Sequence, residues 1–169
     1  MAKQLYAEIV TPGLGKTHIK DFGLRTTLQA NLTAAGTAPI AIGEWYELDT
    51  SDGTGQTLKR GAATPGEEPA FMCMAETNRT DIQSAQRLPV IWDEGVEIKT
   101  KLFDSTGITS VNAVGLRLAV DAVTVDGNTY RGLVAYASGA TEYIVAIGVG
   151  LDSDGYLHAR IVSPHAPTP

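Results

Sequence analysis

The stretch Tyr143-Ile144-Val145-Ala146-Ile147-Gly148-Val149-Gly150-Leu151-Asp152-Ser153-Asp154-Gly155-Tyr156-Leu157-His158-Ala159-Arg160-Ile161-Val162 decides the fold class. A nearly unbroken apolar run, rich in β-branched residues, is stopped by a cluster of Asp, Ser and Gly. It resumes as a segment that alternates apolar with polar residues. That is a strand, a turn and a second strand, the grammar of a β-hairpin. Immediately upstream the pattern repeats, because residues 114–125 and 130–136 flank Asp126-Gly127-Asn128, a short-range hairpin signal.

Working outward, the same reading extends over most of the chain. Residues 5–10 form a short apolar run ended by Pro12-Gly13, and 40–48 alternate around Trp45 and Tyr46 before Asp52-Gly53. Short strands are expected at 58–63 and 71–75, the latter apolar throughout and so covered on both faces. Residues 89–92 and 96–102 form a further pair, the second alternating apolar with charged side chains, so one face should meet water. The polar stretch 78–87 reads as a surface loop. Residues 16–33 are ambiguous: Leu24, Leu28 and Leu32 have helical spacing, but Gly23 and three threonines weaken a helix.

Composition agrees. The chain has 169 residues, 43% of them hydrophobic, enough for a core of one ordinary domain. Charged residues are 19%, below the usual quarter, and the 18 glycines suit many tight turns. The expectation is an all-β, Gly-rich barrel or sandwich. Residues 1–35 are expected as an N-terminal arm and linking segment, 36–162 as the core, and 163–169 as a Pro-rich tail. Within the core, lobes at 36–104 and 105–162 follow from a degenerate internal repeat. Its first copy runs Gly43–Asp49, Leu58–Ala63 and Phe71–Met74, and its second Gly115–Asp121, Thr129–Ala135 and Tyr143–Ile147. In both, a strand opened by glycine leads to an Arg-Gly strand and then to an apolar strand.

Charge and chemistry narrow the function classes. A net charge of −6 with scattered basic residues argues against nucleic acid, whose phosphates require clustered Lys and Arg. The lone Cys73 lies in an apolar run, as a small buried hydrophobe does, and cannot form an intrachain disulfide. The N-terminal residues do not read as a signal peptide, and no apolar run approaches the ~20 residues of a membrane span. A soluble protein made in the cytoplasm is expected, with no membrane partner.

Each chemical motif has a plainer reading. Thr11-Pro12-Gly13-Leu14-Gly15-Lys16-Thr17 resembles a phosphate-binding loop, but Val10 stands where its first glycine belongs and Gly23 interrupts the helix that should follow. The Walker-B-like Leu116–Asp121 falls among hairpins. Asp152-Ser153-Asp154-Gly155 resembles the start of a calcium loop, yet its twelfth position is Ser163, not Glu; a hairpin turn is expected there. Asp49, Asp52 and Asp126 invite the same calcium interpretation. His18, His158 and His165 lack ligand spacing. No serine sits in a nucleophile elbow. Trp45 and Trp92 read as core or interface residues before sugar-stacking platforms. The sequence therefore points to no enzyme, no cofactor and no metal, with the partner-binding residues unassigned.

The segments Val114–Leu118, Tyr130–Ala135 and Ile144–Val162, within a stretch that makes up about a third of the chain, resemble the small β-rich decoration (cement) proteins of tailed-bacteriophage heads. The resemblance implies a β-barrel or β-tulip-like virion protein, assembled in the host cytoplasm, that sits on the capsid surface. It implies the major capsid protein as partner and a homo-oligomer, trimer or dimer. Exposed β edges and terminal arms that gain order on docking suit that role. The alternatives are another phage component (tail, neck or fibre domain), a carbohydrate- or cell-surface-binding β-sandwich using Trp45 or Trp92, and a nucleotide hydrolase using Lys16 and Thr17.

Overall fold

Two β-sheets pack across a main apolar core, with a second, smaller cluster formed by Ala41, Leu102, Val123 and Tyr130. The structure, a computed structural model, describes residues 7–10, 19–24, 41–48, 57–59, 70–73, 87–91, 94–137 and 143–165. In chain order the strands are β1 (Ala7–Ile9), β2 (Ile19–Leu24), β3 (Trp45–Leu48), β4 (Thr57–Lys59), β5 (Ala70–Met72), β6 (Arg87–Ile91), β7 (Glu97–Thr100), β8 (Arg117–Val125), β9 (Asn128–Ala135), β10 (Ile144–Leu151) and β11 (Leu157–His165). The larger sheet is antiparallel, in the order β1-β7-β11-β10-β8-β9; the smaller runs β5-β3-β4-β2-β6, with β2 and β4 parallel. Among the described residues there is no helix, and the chain is all-β as its turn grammar requires.

The turns form where the residues dictate. Val125 pairs with Asn128, leaving Asp126 and Gly127 as a two-residue loop with φ of 52° and 77°. Two consecutive positive φ values are the type I′ turn, whose twist matches the flanking strands. The 152–156 turn joins β10 to β11: the Asp152 carboxylate accepts the N–H groups of Asp154 (3.0 Å) and Tyr156 (2.8 Å), and Gly155 sits at φ 79°. In β7 the expected alternation is met, Ile98 and Thr100 buried, Glu97 and Lys99 half-exposed.

The core joins both sheets. Trp45, Met72 and Ile91 of the smaller pack with Ile98, Leu118, Leu133, Val145 and Leu157 of the larger. Burying a side chain of this size contributes about 1.5–3 kcal/mol. Neither sheet closes into a ladder. The larger ends on β1 and β9, and among the described residues the smaller meets its own far edge through the Cys73↔Val90 bridge. The packing is sandwich-like and not a closed barrel.

Strand pairings cross the segment boundaries expected from sequence. Ala7–Ile9, within the expected arm, pairs with β7, and Ile19–Leu24 pairs with β4 and β6. A strand was legible at the first, but the leucine spacing hid the second. A lobe boundary at 104/105 would cut through the larger sheet, because β7 pairs with β11. β11 also runs three residues into the expected tail, where His165 pairs with Ile144. Edge backbone left unpaired is costly, which is why these segments are recruited to the sheets.

The repeat has a structural counterpart. Its opening strand lies between its second and third in both copies: β5-β3-β4 and β10-β8-β9. Each opening strand follows a turn with glycine at positive φ, Gly43 at 96° and Gly115 at 76°. The bonds match. Gly43 N–H donates to Cys73 O, Cys73 N–H to Glu44 O and Glu44 N–H to Ala41 O; Gly115 N–H donates to Gly148 O, Gly148 N–H to Leu116 O and Leu116 N–H to Ala113 O. The Arg-Gly alignment, by contrast, is out of register. Counting from the shared glycine, Leu48 corresponds to Val120, and their partners are Leu58 and Leu133, both fully buried. Aligning Arg60-Gly61 with Arg131-Gly132 would instead match Leu58 with Thr129.

Candidate interaction surface and the polar cluster behind it

The connection from β7 to β8 is irregular but internally tied. Asp104 Oδ1 accepts from the Thr106 N–H (2.9 Å) and hydroxyl (2.6 Å), and Oδ2 from the Gly107 N–H (3.2 Å). The Thr106 hydroxyl is the main reason the Asp104 carboxyl is held below its ordinary value, with the backbone N–H groups adding to it. Asn112 fastens the far side: its Oδ1 accepts from the Thr109 N–H (2.8 Å) and its Nδ2 donates to Gly107 O (3.0 Å). Ile108 and Ala113 anchor the loop in the core. The result is a fixed platform that holds apolar side chains in solvent, with Val111 93% and Val114 74% exposed.

Beside the platform lies an open groove of about 510 Å³, lined by residues 104–106, 121–124, 134 and 135. Its carboxylates are engaged from within, Asp104 as above and Asp121 by its neighbour's Ala122 N–H (2.6 Å) and by Arg131 Nη1 (3.4 Å).

Arg131 belongs to a buried polar cluster that joins the sheets. Its Nη2 donates to Glu47 Oε1 (3.2 Å), and its backbone N–H donates to Glu44 Oε1 (3.2 Å). The second oxygen of Glu44 accepts from the Tyr46 hydroxyl (2.8 Å). Glu44 is fully buried and Arg131 nearly so. A carboxylate can lose its water only by accepting hydrogen bonds in return, and here one bond caps the β9 edge. The next part of that edge is covered by residues 102–104, through Leu133 N–H to Leu102 O and Asp104 N–H to Leu133 O, both 2.9 Å. Nothing in the sequence singled out this cluster, because its partners are 84 and 87 residues apart.

On the outer face of the larger sheet, His158 stands between two carboxylates, Asp152 Oδ2 (3.1 Å) and Glu97 Oε1 (3.5 Å). The Asp152 carboxyl lies below its ordinary value, first through the Tyr156 N–H and then through His158. Glu97 also faces Arg160 (3.9 Å), and Lys99 pairs with Glu8. Lys99 and Lys101 lie over the Tyr156 ring, 5.1 and 4.6 Å from its centre. The 152–156 stretch is therefore a hairpin turn tied to β7, as expected, and its first aspartate is spent on that work.

Other residues singled out in the sequence are placed as follows. Trp45 is 1% exposed, so its ring cannot offer a stacking face to a sugar; it is a core residue. Cys73 is buried. Asp121, the Walker-B-like aspartate, pairs with Arg131, and Asp126 sits in the type I′ turn. Lys16, Thr17, His18, Asp49, Asp52 and Trp92 lie outside the described residues, as does the side chain of His165. No family model, curated protein or solved structure matches the chain.

Proposed function

We propose that this chain is a virion structural protein that binds the outside of a capsid and stabilises contacts between major capsid subunits. The observation that carries the reading is the 104–116 platform. Exposed valines on a loop already fixed by its own hydrogen bonds can dock without a large ordering cost. Ionic side chains elsewhere, including the buried Glu44, Glu47 and Arg131, cross-link the fold itself. The resemblance of the segments 114–118, 130–135 and 144–162 to capsid decoration proteins supplies the partner, the major capsid protein.

The test is co-sedimentation of the purified chain with empty heads of the phage that encodes it. The wild-type chain should pellet with the heads and raise their melting temperature. The doubly substituted Val111→Asp, Val114→Asp chain should bind at least tenfold more weakly while keeping its own melting temperature. A wild-type chain that leaves the heads untouched, or that assembles alone into rings or tubes, overturns the reading and favours a tail or neck component.

A further inference from the structure

Both ring nitrogens of His158 face carboxylate oxygens. Nε2 lies 3.1 Å from Asp152 Oδ2 in the hairpin turn, and Nδ1 lies 3.5 Å from Glu97 Oε1 on β7. A neutral imidazole carries one N–H, so it can donate to only one of them and must turn a lone pair on the other. The imidazolium carries two and can donate to both. The side chain is 25% exposed, so a proton from solvent reaches the ring without any opening of the sheet. The two carboxylates are not held alike. Asp152 is fixed by its turn, because its other oxygen accepts from the Asp154 and Tyr156 N–H groups. Glu97 is shared, its second oxygen lying 3.9 Å from Arg160 Nη2, longer than a hydrogen bond.

We propose that His158 is a proton-operated clasp between the 152–156 turn and β7. Protonated, it bridges Asp152 and Glu97. Neutral, it gives its proton to solvent, keeps the remaining hydrogen on Nε2 for Asp152, and releases Glu97, which closes on Arg160. The shorter contact and the fixed carboxylate both favour Asp152 as the partner that is kept. The other charged groups around the ring are accounted for. On β7, Lys99 stands opposite His158 in the ladder and works against the imidazolium, but its own charge is engaged by Glu8 of β1. Lys101 lies over the Tyr156 ring. On β10 the residue opposite His158 is Gly150, which brings no charge. An imidazole ordinarily changes charge between about pH 5 and 8, so the clasp is closed on the acid side of that range and open on the basic side. The device stands on the fold alone and does not depend on the capsid-binding reading.

The test is an NMR titration of the full-length chain, labelled with ¹³C and ¹⁵N, between about pH 5 and 8. Ordinary carboxyl groups titrate near about pH 4, so a step in the Glu97 carboxyl carbon within this window reports a neighbour. The chain has three histidines, and His158→Gln identifies the His158 ring by removing one set of signals. The His158 ring nitrogens, the Glu97 carboxyl carbon and the Arg160 guanidinium should all shift with one shared midpoint. Above that midpoint the ring hydrogen should be on Nε2, with Nδ1 bare. In His158→Gln the Glu97 and Arg160 steps should be lost. The tautomer is read on the wild-type chain, so it tests the clasp even if the variant folds poorly. A flat Glu97 or Arg160 signal, a step that persists in His158→Gln, or a neutral ring with its hydrogen on Nδ1 overturns the clasp.

Discussion

Replacing Arg131 with Met tests whether the buried polar cluster holds the two sheets together. The guanidinium is 5% exposed, Glu47 beside it 8% and Asp121 28%. Met keeps much of the side-chain bulk, so little of the effect is a cavity. What changes is charge, because the Glu47 carboxylate stays in the interface without the guanidinium that neutralised it. Removing one member of a buried ion pair costs about 3–5 kcal/mol, while the more exposed Asp121 contact adds only a few tenths. For a chain of this length, each kcal/mol lowers the melting temperature by about 2–4 °C, so a fall of roughly 6–20 °C is expected. Urea unfolding followed by the fluorescence of the buried Trp45 should show a lower midpoint with an unchanged slope. Adding Glu47→Leu should recover most of the loss, since a well-packed apolar pair replaces a buried ion pair at little cost. If Arg131→Met lies within about 1 kcal/mol of the wild type, or if the second substitution deepens the loss, the cluster does not hold the two sheets together.

Gly148→Ala should destabilise by about 1–3 kcal/mol in the same urea assay, because the new methyl group would collide with the backbone carbonyl of Ala113. Gly150→Ala is the control, with nothing among the described residues within 4 Å of the added group, and should change stability little. The Asp104 cap gives a pH dependence whose sign follows from its lowered value. Its contribution is complete above the ordinary carboxyl value of 3.8 and disappears as pH falls through the lower folded value. The Thr106 and Gly107 amide resonances should therefore titrate with a midpoint below 3.8. In Asp104→Asn that transition should vanish; a midpoint above 3.8 refutes the cap.

Local chemistry made much of the fold readable. Asp126-Gly127 can hold two positive φ values with little strain, so the β8–β9 hairpin is legible in two letters. The alternation through Glu97–Thr100 fixes which face of β7 is buried, because successive side chains leave opposite faces. Glycine at 43 and 115 marks the two repeat openings for the same steric reason. The β2 strand is obscured in the sequence by Leu24, Leu28 and Leu32, whose helical spacing competes with it; over Ile19–Leu24, strand pairing with β6 overrides that weak local preference.

What only the tertiary structure decided is everything that depends on distant residues meeting. The sequence by itself determined that the chain is β, where its clearest hairpins turn and which strand faces are apolar, since those follow from sterics and period over a few residues. It did not determine that β7 joins β11, that the repeat aligns Leu58 with Leu133, or that Glu44 reaches Arg131. Ladder register is set by the sum of many cross-strand contacts, and the Arg-Gly dipeptides that suggested another register contribute only one local coincidence. The Val111 and Val114 platform was equally hidden: an exposed valine and a buried one are the same letter, and only the packing around Ile108 and Ala113 tells them apart.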